Sequence, residues 1–232
     1  MGGDERRVGC CQGRGGGRGL RGRGGRGGAE ARLFAAAILA GDYAAARGVL
    51  HAALDEGLGY IYERIVAPAL EEVGHLWYEN RLTVADEHLA TAVAQAAIAS
   101  TYPRIRWPSG GPRAVVGCVE PELHSLGARM VADLLALDGW QTTFASGGIS
   151  LAAKIEDLRW SEVKLFAVSV TLPAHLPAAR ALIGQVREEL PEAKILAGGR
   201  AIAALPDAAE QLGIHAVASS GSMAVEIARG WR

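Results

Sequence analysis

The sequence is poor in cysteine, with only Cys10, Cys11 and Cys118 in 232 residues. Such a set, with no Cys-x-x-Cys pair and no Cys/His cluster at zinc spacing, excludes a disulfide framework and a structural zinc site. Neither sign of charge is in excess: 24 basic against 25 acidic side chains leave a net charge of −1. That balance argues against a protein that grips a nucleic-acid backbone over a broad basic face. Long hydrophobic runs are missing too, none approaching the roughly 18 residues that a membrane span requires. Residues 33–40 (LFAAAILA) follow a basic stretch, as a signal peptide would, but Glu30 and Arg32 stand at their edge and the helical pattern continues beyond them. The expected compartment is therefore the cytoplasm.

Half of the residues are apolar, enough for a buried core. The exception is residues 1–28, which hold 13 of the 31 glycines and seven arginines. Glycine costs the most backbone entropy to order, and this stretch has little apolar surface to offset it, so a disordered tail is expected. Arg/Gly segments can bind RNA without sequence preference, but a flexible leader is the simpler reading. Residues 29–101 read as four helices, at 30–40, 43–56, 58–80 and 84–100, from alanine content and apolar positions three and four apart. Asp42 and Thr83 stand where N-caps belong, with Asp86 and Glu87 in the first turn after Thr83. Short links between the helices imply an antiparallel bundle. Three prolines and a Gly-Gly pair make residues 102–112 a linker.

From residue 113 to 232 the period changes. Short apolar runs at 114–119, 141–145, 164–170, 194–197 and 215–218 alternate with helical stretches at 125–138, 150–160, 175–190, 202–212 and 222–230. The fold class expected is α + α/β: a four-helix bundle followed by a doubly wound parallel sheet, Rossmann-like and of flavodoxin type. Ligands on such sheets bind beyond the carboxyl ends of the strands. Three loops reach that edge, carrying Glu122-Leu123-His124-Ser125-Leu126-Gly127, Ser169-Val170-Thr171 and Gly198-Gly199. A carboxylate two residues before an imidazole can bond one ring nitrogen and leave the other for a metal.

Glu-x-His-x-x-Gly, then Ser-x-Thr, then Gly-Gly, in this order and spacing, resemble the cobalamin-binding domain that holds its cofactor base-off. The resemblance implies that His124 ligates cobalt from below and Glu122 orients it. It implies that Leu123 and Ser125 flank the ligand, and that Gly127, Ser169, Thr171, Gly198 and Gly199 line the slot for the nucleotide tail.

In the helical part, Trp77 is followed after nine residues by Glu87-His88, with Val84 between. This pattern resembles the adenosylcobalamin photoreceptors of the light-dependent MerR-type repressors. The resemblance implies an adenosyl group packed on Trp77, contacts from Glu87 and His88, and Val84 close to the upper face. Two features depart from the repressors. No helix-turn-helix precedes the bundle, so direct DNA binding is not expected. Tyr78 also stands where those repressors have a cobalt-capturing histidine, and a phenol is a poorer ligand for cobalt; His75 and His88 are the candidates to replace it. A bundle joined to a cobalamin domain without a DNA-binding part is also similar to the photocobilins, which bind biliverdin beside cobalamin.

The expectation is thus a sensor rather than an enzyme. It would bind adenosylcobalamin, with biliverdin as a second chromophore to be tested, form a homo-oligomer whose state depends on light, and signal to a downstream protein partner. The rival is a corrinoid protein carrying methyl groups between methyltransferases, which shares the bundle and the His124 loop. His51, His75, His175 and His215 are read as surface or core histidines, with His75 singled out for its closeness to Trp77.

Overall fold

The computed structural model describes residues 26–120, 122–145 and 162–232. Its first half is helical: α1 (Arg26–Leu39), α2 (Tyr43–Ala52), α3 (Gly57–Tyr60), α4 (Ala67–Tyr78) and α5 (Val84–Ala99). The first helix begins at Arg26, inside the stretch expected to be tail, where Arg26 pairs with Glu30 and Glu56. Asp42 caps α2 by accepting from the Ala45 amide, and Thr83 and Asp86 form a reciprocal capping box on α5. Both caps are as the sequence implied.

The helix expected over 58–80 is continuous but not regular. Between α3 and α4, Ile61–Val66 form a π-helical turn, in which the Ala67 amide donates to the Tyr62 carbonyl five residues back. Pro68 accounts for it, because a proline has no N–H to offer the Arg64 carbonyl and its ring crowds that position. Tyr62 and Glu63 of this turn bond to Asp133 and Ser222 of the second domain.

The second domain is a five-stranded parallel sheet: β1 (Arg113–Cys118), β2 (Gln141–Ala145), β3 (Val163–Ser169), β4 (Lys194–Gly198) and β5 (Ala216–Ala218). Its order is β2-β1-β3-β4-β5, the expected doubly wound arrangement, with the switch point between β1 and β3. Around it lie α6 (Leu126–Leu137), α7 (Leu176–Glu189), α8 (Arg200–Ala203), α9 (Ala208–Leu212) and α10 (Gly221–Arg229). The single helix expected over 202–212 is two, broken where Pro206 and the left-handed Asp207 interrupt it. The helix expected at 150–160 lies outside the described residues.

Strand side chains alternate between two apolar layers. Val115, Phe166, Val168 and Ile195 face α7 to α9, whereas Ala114, Val116, Leu165, Ala167 and Leu196 face α6 and α10. The bundle core continues onto the outer side of α6 through Leu126 and Leu134. Helix α6 is therefore packed on both sides, by the sheet and by the bundle. A buried polar cluster sits beside it. The Tyr62 and Tyr102 hydroxyls both donate to Asp133 Oδ2 at 2.7 Å, and Arg129 Nε donates to Oδ1 at 2.9 Å. Tyr102 belongs to the linker, so one carboxylate joins bundle, linker and sheet domain. Burial, followed by the neighbouring Asp133 charge, pushes the Tyr62 phenol well above its usual range.

The row that closes the sheet at its carboxyl edge is set by register: Cys118 opposite Ser169, Ser169 opposite Gly198, Gly198 opposite Ala218. Gly199 follows with φ +94°, and a Cβ there would collide with the Val170 carbonyl. Both reasons exclude a side chain at this position. Gly199→Ala should cost about 2 kcal/mol or more of stability, seen as a lowered denaturant midpoint, and an unchanged midpoint would contradict the backbone argument.

Candidate cofactor site

The site lies where the loops after β1, β3 and β4 meet. Its centre is Glu122, fully buried, whose two oxygens are held from both sides of the switch point. Oε1 accepts from the His124 amide at 3.0 Å and meets the His124 ring Nδ1 at 2.5 Å. Oε2 accepts from the Thr171 amide at 2.8 Å and the Leu172 amide at 3.3 Å, and meets His175 Nδ1 at 3.1 Å. Burial alone would push this carboxyl upward. The bonds from the Thr171 amide, the His124 ring and amide and the His175 ring outweigh it and hold the pKa at about 2.

An ionised carboxylate only accepts, so His124 Nδ1 carries the hydrogen of this bond, and in the neutral ring Nε2 is the nitrogen that keeps its lone pair. The ring is half exposed, and among the described residues no hydrogen bond occupies Nε2. With five donors on Glu122, the carboxylate has no oxygen to give a metal, so this corner offers one nitrogen ligand. Leu123 is exposed beside it, and Ser125 leads into α6. Cys118 lies beneath, its Sγ 3.8 Å from the His124 carbonyl oxygen, and burial pushes the thiol up to about 12, so it is no thiolate ligand near neutrality.

His175 is the site residue that the sequence reading passed over. Its signal was present, because it sits four residues after Thr171 in the Ser-x-Thr loop, but only the fold turns its ring back onto Glu122.

Behind the loops a cavity of about 610 Å³ opens between α6, α10 and the sheet, with the π-turn as its outer wall. Of the residues expected in a slot, Gly127, Ser169, Gly198 and Gly199 line it, while Thr171 does not. Instead, the Thr171 backbone amide serves Glu122. The glycines differ in purpose. Gly198 and Gly199 are small because neighbouring backbone lies against them, whereas nothing stands within 4 Å of where a Gly127 side chain would begin. Gly127 is small toward open space, as close approach of a ligand requires.

The bundle residues are a looser group. Trp77 stands in the last turn of α4 and is 44% exposed; Val84 and His88 are exposed on the first turns of α5. Thr91 donates to Glu87 Oε1 at 3.0 Å, and His88 Nε2 lies 3.5 Å from Glu87 Oε2. Among the described residues no hydrogen bond joins Trp77 to Glu87 or His88. His75 pairs with Glu79 at 3.2 Å, and Tyr78 is exposed.

Bundle and sheet domain each match a family model described as a B12 binding domain, over residues 31–100 and 112–229. The chain therefore belongs to the B12-binding family, whose cofactor is a corrinoid. Among solved structures it is similar to the monomethylamine corrinoid protein of Methanosarcina barkeri, at 17% identity and a TM-score of 0.70, over 84% of this chain and 94% of that one. A cobalamin-binding protein of Desulfitobacterium hafniense DCB-2 also matches, at 16% identity and a TM-score of 0.48, over 87% of this chain and 98% of that one. So does the methanol:cobalamin methyltransferase complex of Methanosarcina barkeri, at 16% identity and 0.47, over 87% of this chain and 79% of that one. No curated protein matches in sequence. Among the described residues no helix is long and apolar enough to cross a membrane.

The low pKa of Glu122 makes it a source of acid-labile stability. A carboxyl lowered from its ordinary 4.5 to about 2 in the folded chain contributes stability that is complete above the higher value and lost as pH falls through the lower. Glu122→Gln should therefore be less stable than wild type near neutrality, and the gap should narrow between about pH 4.5 and 2. Urea midpoints across this range measure it; a gap independent of pH would contradict the assigned hydrogen bonds.

Proposed function

We propose that this chain holds cobalamin base-off, with His124 as the lower axial ligand of cobalt and the nucleotide tail in the cavity between α6 and α10. The observation that carries this reading is the His124 ring itself: Nδ1 is committed to the buried Glu122, and among the described residues no hydrogen bond occupies Nε2 of this half-exposed ring. A pairing of this kind fixes the tautomer and raises the basicity of the ligating nitrogen. Glu122 receives a second ring, His175, and two backbone amides, so it holds its own position while orienting His124. Gly127 leaves room for the cofactor at the mouth, and Ser169, Gly198 and Gly199 form the wall behind it. Leu123 and Ser125 flank the imidazole. Cobalamin held by these residues would supply a cobalt–carbon bond, the chemistry on which both outputs below would draw.

Two outputs are then open, each with its own support. The corrinoid carrier, handing methyl groups between methyltransferases, is supported by likeness to the monomethylamine corrinoid protein, which extends over both domains. The adenosylcobalamin light sensor is supported by the bundle patch. Trp77 is 44% exposed in the last turn of α4, Val84 and His88 are exposed on the first turns of α5, and Glu87 holds a carboxylate on the same helix. In that reading Trp77, Val84, Glu87 and His88 contact the adenosyl group, and the output is a light-dependent homo-oligomer or a downstream partner. Biliverdin has no set of side chains behind it among the described residues and is left out of the proposal.

His124→Ala should weaken cobalamin binding and remove the spectral mark of nitrogen ligation from below; an unchanged ligation spectrum would overturn the proposal. The outputs separate on the dark protein loaded with adenosylcobalamin or methylcobalamin. The sensor retains adenosylcobalamin selectively, loses that selectivity in Trp77→Ala, and changes its elution volume after green light. The carrier accepts both forms and elutes alike before and after illumination.

A further inference from the structure

The cavity wall has an unusual construction. Its two helical sides, α6 and α10, are held by adjacent residues of the π-turn. Tyr62 donates to Asp133 on α6 at 2.7 Å, and Glu63 Oε1 accepts from the Ser222 amide in the first turn of α10 at 2.8 Å. These sides are close to one another: a Cβ on Gly221 of α10 would stand 2.5 Å from Leu134 Cδ1 of α6. The cavity lies beside this contact, with Leu134 and Gly221 both in its lining, and a planar ring that seats between these two residues parts the helices. The π-turn, bonded to both, cannot stay still when they part. It is also covalently continuous with α4, which carries Trp77 in its last turn.

We propose that the π-turn is a strut across the slot, through which filling of the slot by a ring is passed to α4 and on to the exposed face of the bundle. The strut works because two neighbouring side chains serve two different walls. Moving Asp133 and Ser222 apart forces the turn to rotate or to release one bond, and either outcome tilts α4 relative to the sheet. π-turns inside α-helices are rare and occur frequently at functional sites. Glu63 adds direction, as its carboxylate faces the positive end of α10. The bond between Tyr62 and Asp133 is the stiffer arm, because it is buried and its carboxylate is also held by Tyr102 and Arg129. The inference rests on the cobalamin reading above, in which the ring is the nucleotide base.

The test compares two probes that share the corrin but differ in the tail: hydroxocobalamin, and cobinamide, which has no nucleotide base. Hydrogen exchange is followed at the amides of α5, which does not line the cavity but packs on α4. In wild type, hydroxocobalamin should change α5 exchange at least about threefold more than cobinamide does at saturation. In Tyr62→Phe, and separately in Glu63→Ala, each of which removes one arm, the difference between the probes should shrink toward none. If both probes bind and act alike on wild-type α5, the strut is overturned and the cobalamin reading stands. If the difference persists in both variants, the strut is likewise overturned. If neither probe binds wild type, the strut and the cobalamin reading fall together.

Discussion

The structure turns on a single buried carboxylate. Glu122 sits at the switch point of the sheet and gathers donors from two loops, the one after β1 and the one after β3. Buried charges are stable only when fully hydrogen-bonded, and here both oxygens are. Because it is satisfied, Glu122 stays ionised; because it is ionised, the neighbouring imidazole carries a hydrogen on Nδ1, and in the neutral ring Nε2 keeps the lone pair. The loop shape, the tautomer of His124 and the position of His175 all follow from that charge.

The bundle is placed by a second carboxylate of the same kind. Asp133 joins Tyr62 of the bundle, Tyr102 of the linker and Arg129 of its own helix. The linker is thus an anchored segment, with Trp107 set edge-on against Tyr102 at 5.6 Å. The two domains share an apolar layer on α6 as well. A ligand seated between α6 and α10 would therefore touch the structure that orients the bundle.

Much of this was legible in the sequence. Alternation of strands with helices gave the doubly wound sheet, and the three loop motifs fell on its carboxyl edge because strand register is fixed by which face is apolar. The Glu122–His124 pair could be read from spacing alone, being two residues apart on one loop. His175 could not, because its contact spans 53 residues of sequence and depends on how the β3 loop turns. The π-turn left a faint trace in Pro68, a proline inside an otherwise helical pattern, but such a proline marks a kink without saying which residues it displaces. Gly198 and Gly199 were read as slot lining; they do line the cavity, yet their need for glycine comes from backbone that packs against them. The break at Pro206 and Asp207 went unread because apolar spacing continued across it.

The most direct test of the account is the electron paramagnetic resonance of cob(II)alamin bound to protein carrying nitrogen-15 in its histidines. The unpaired electron lies along the axial direction, so its coupling reports the nitrogen below cobalt. Ligation by His124 predicts a doublet splitting from nitrogen-15, lost in His124→Ala. A triplet from the cofactor's own unlabelled base would contradict the account.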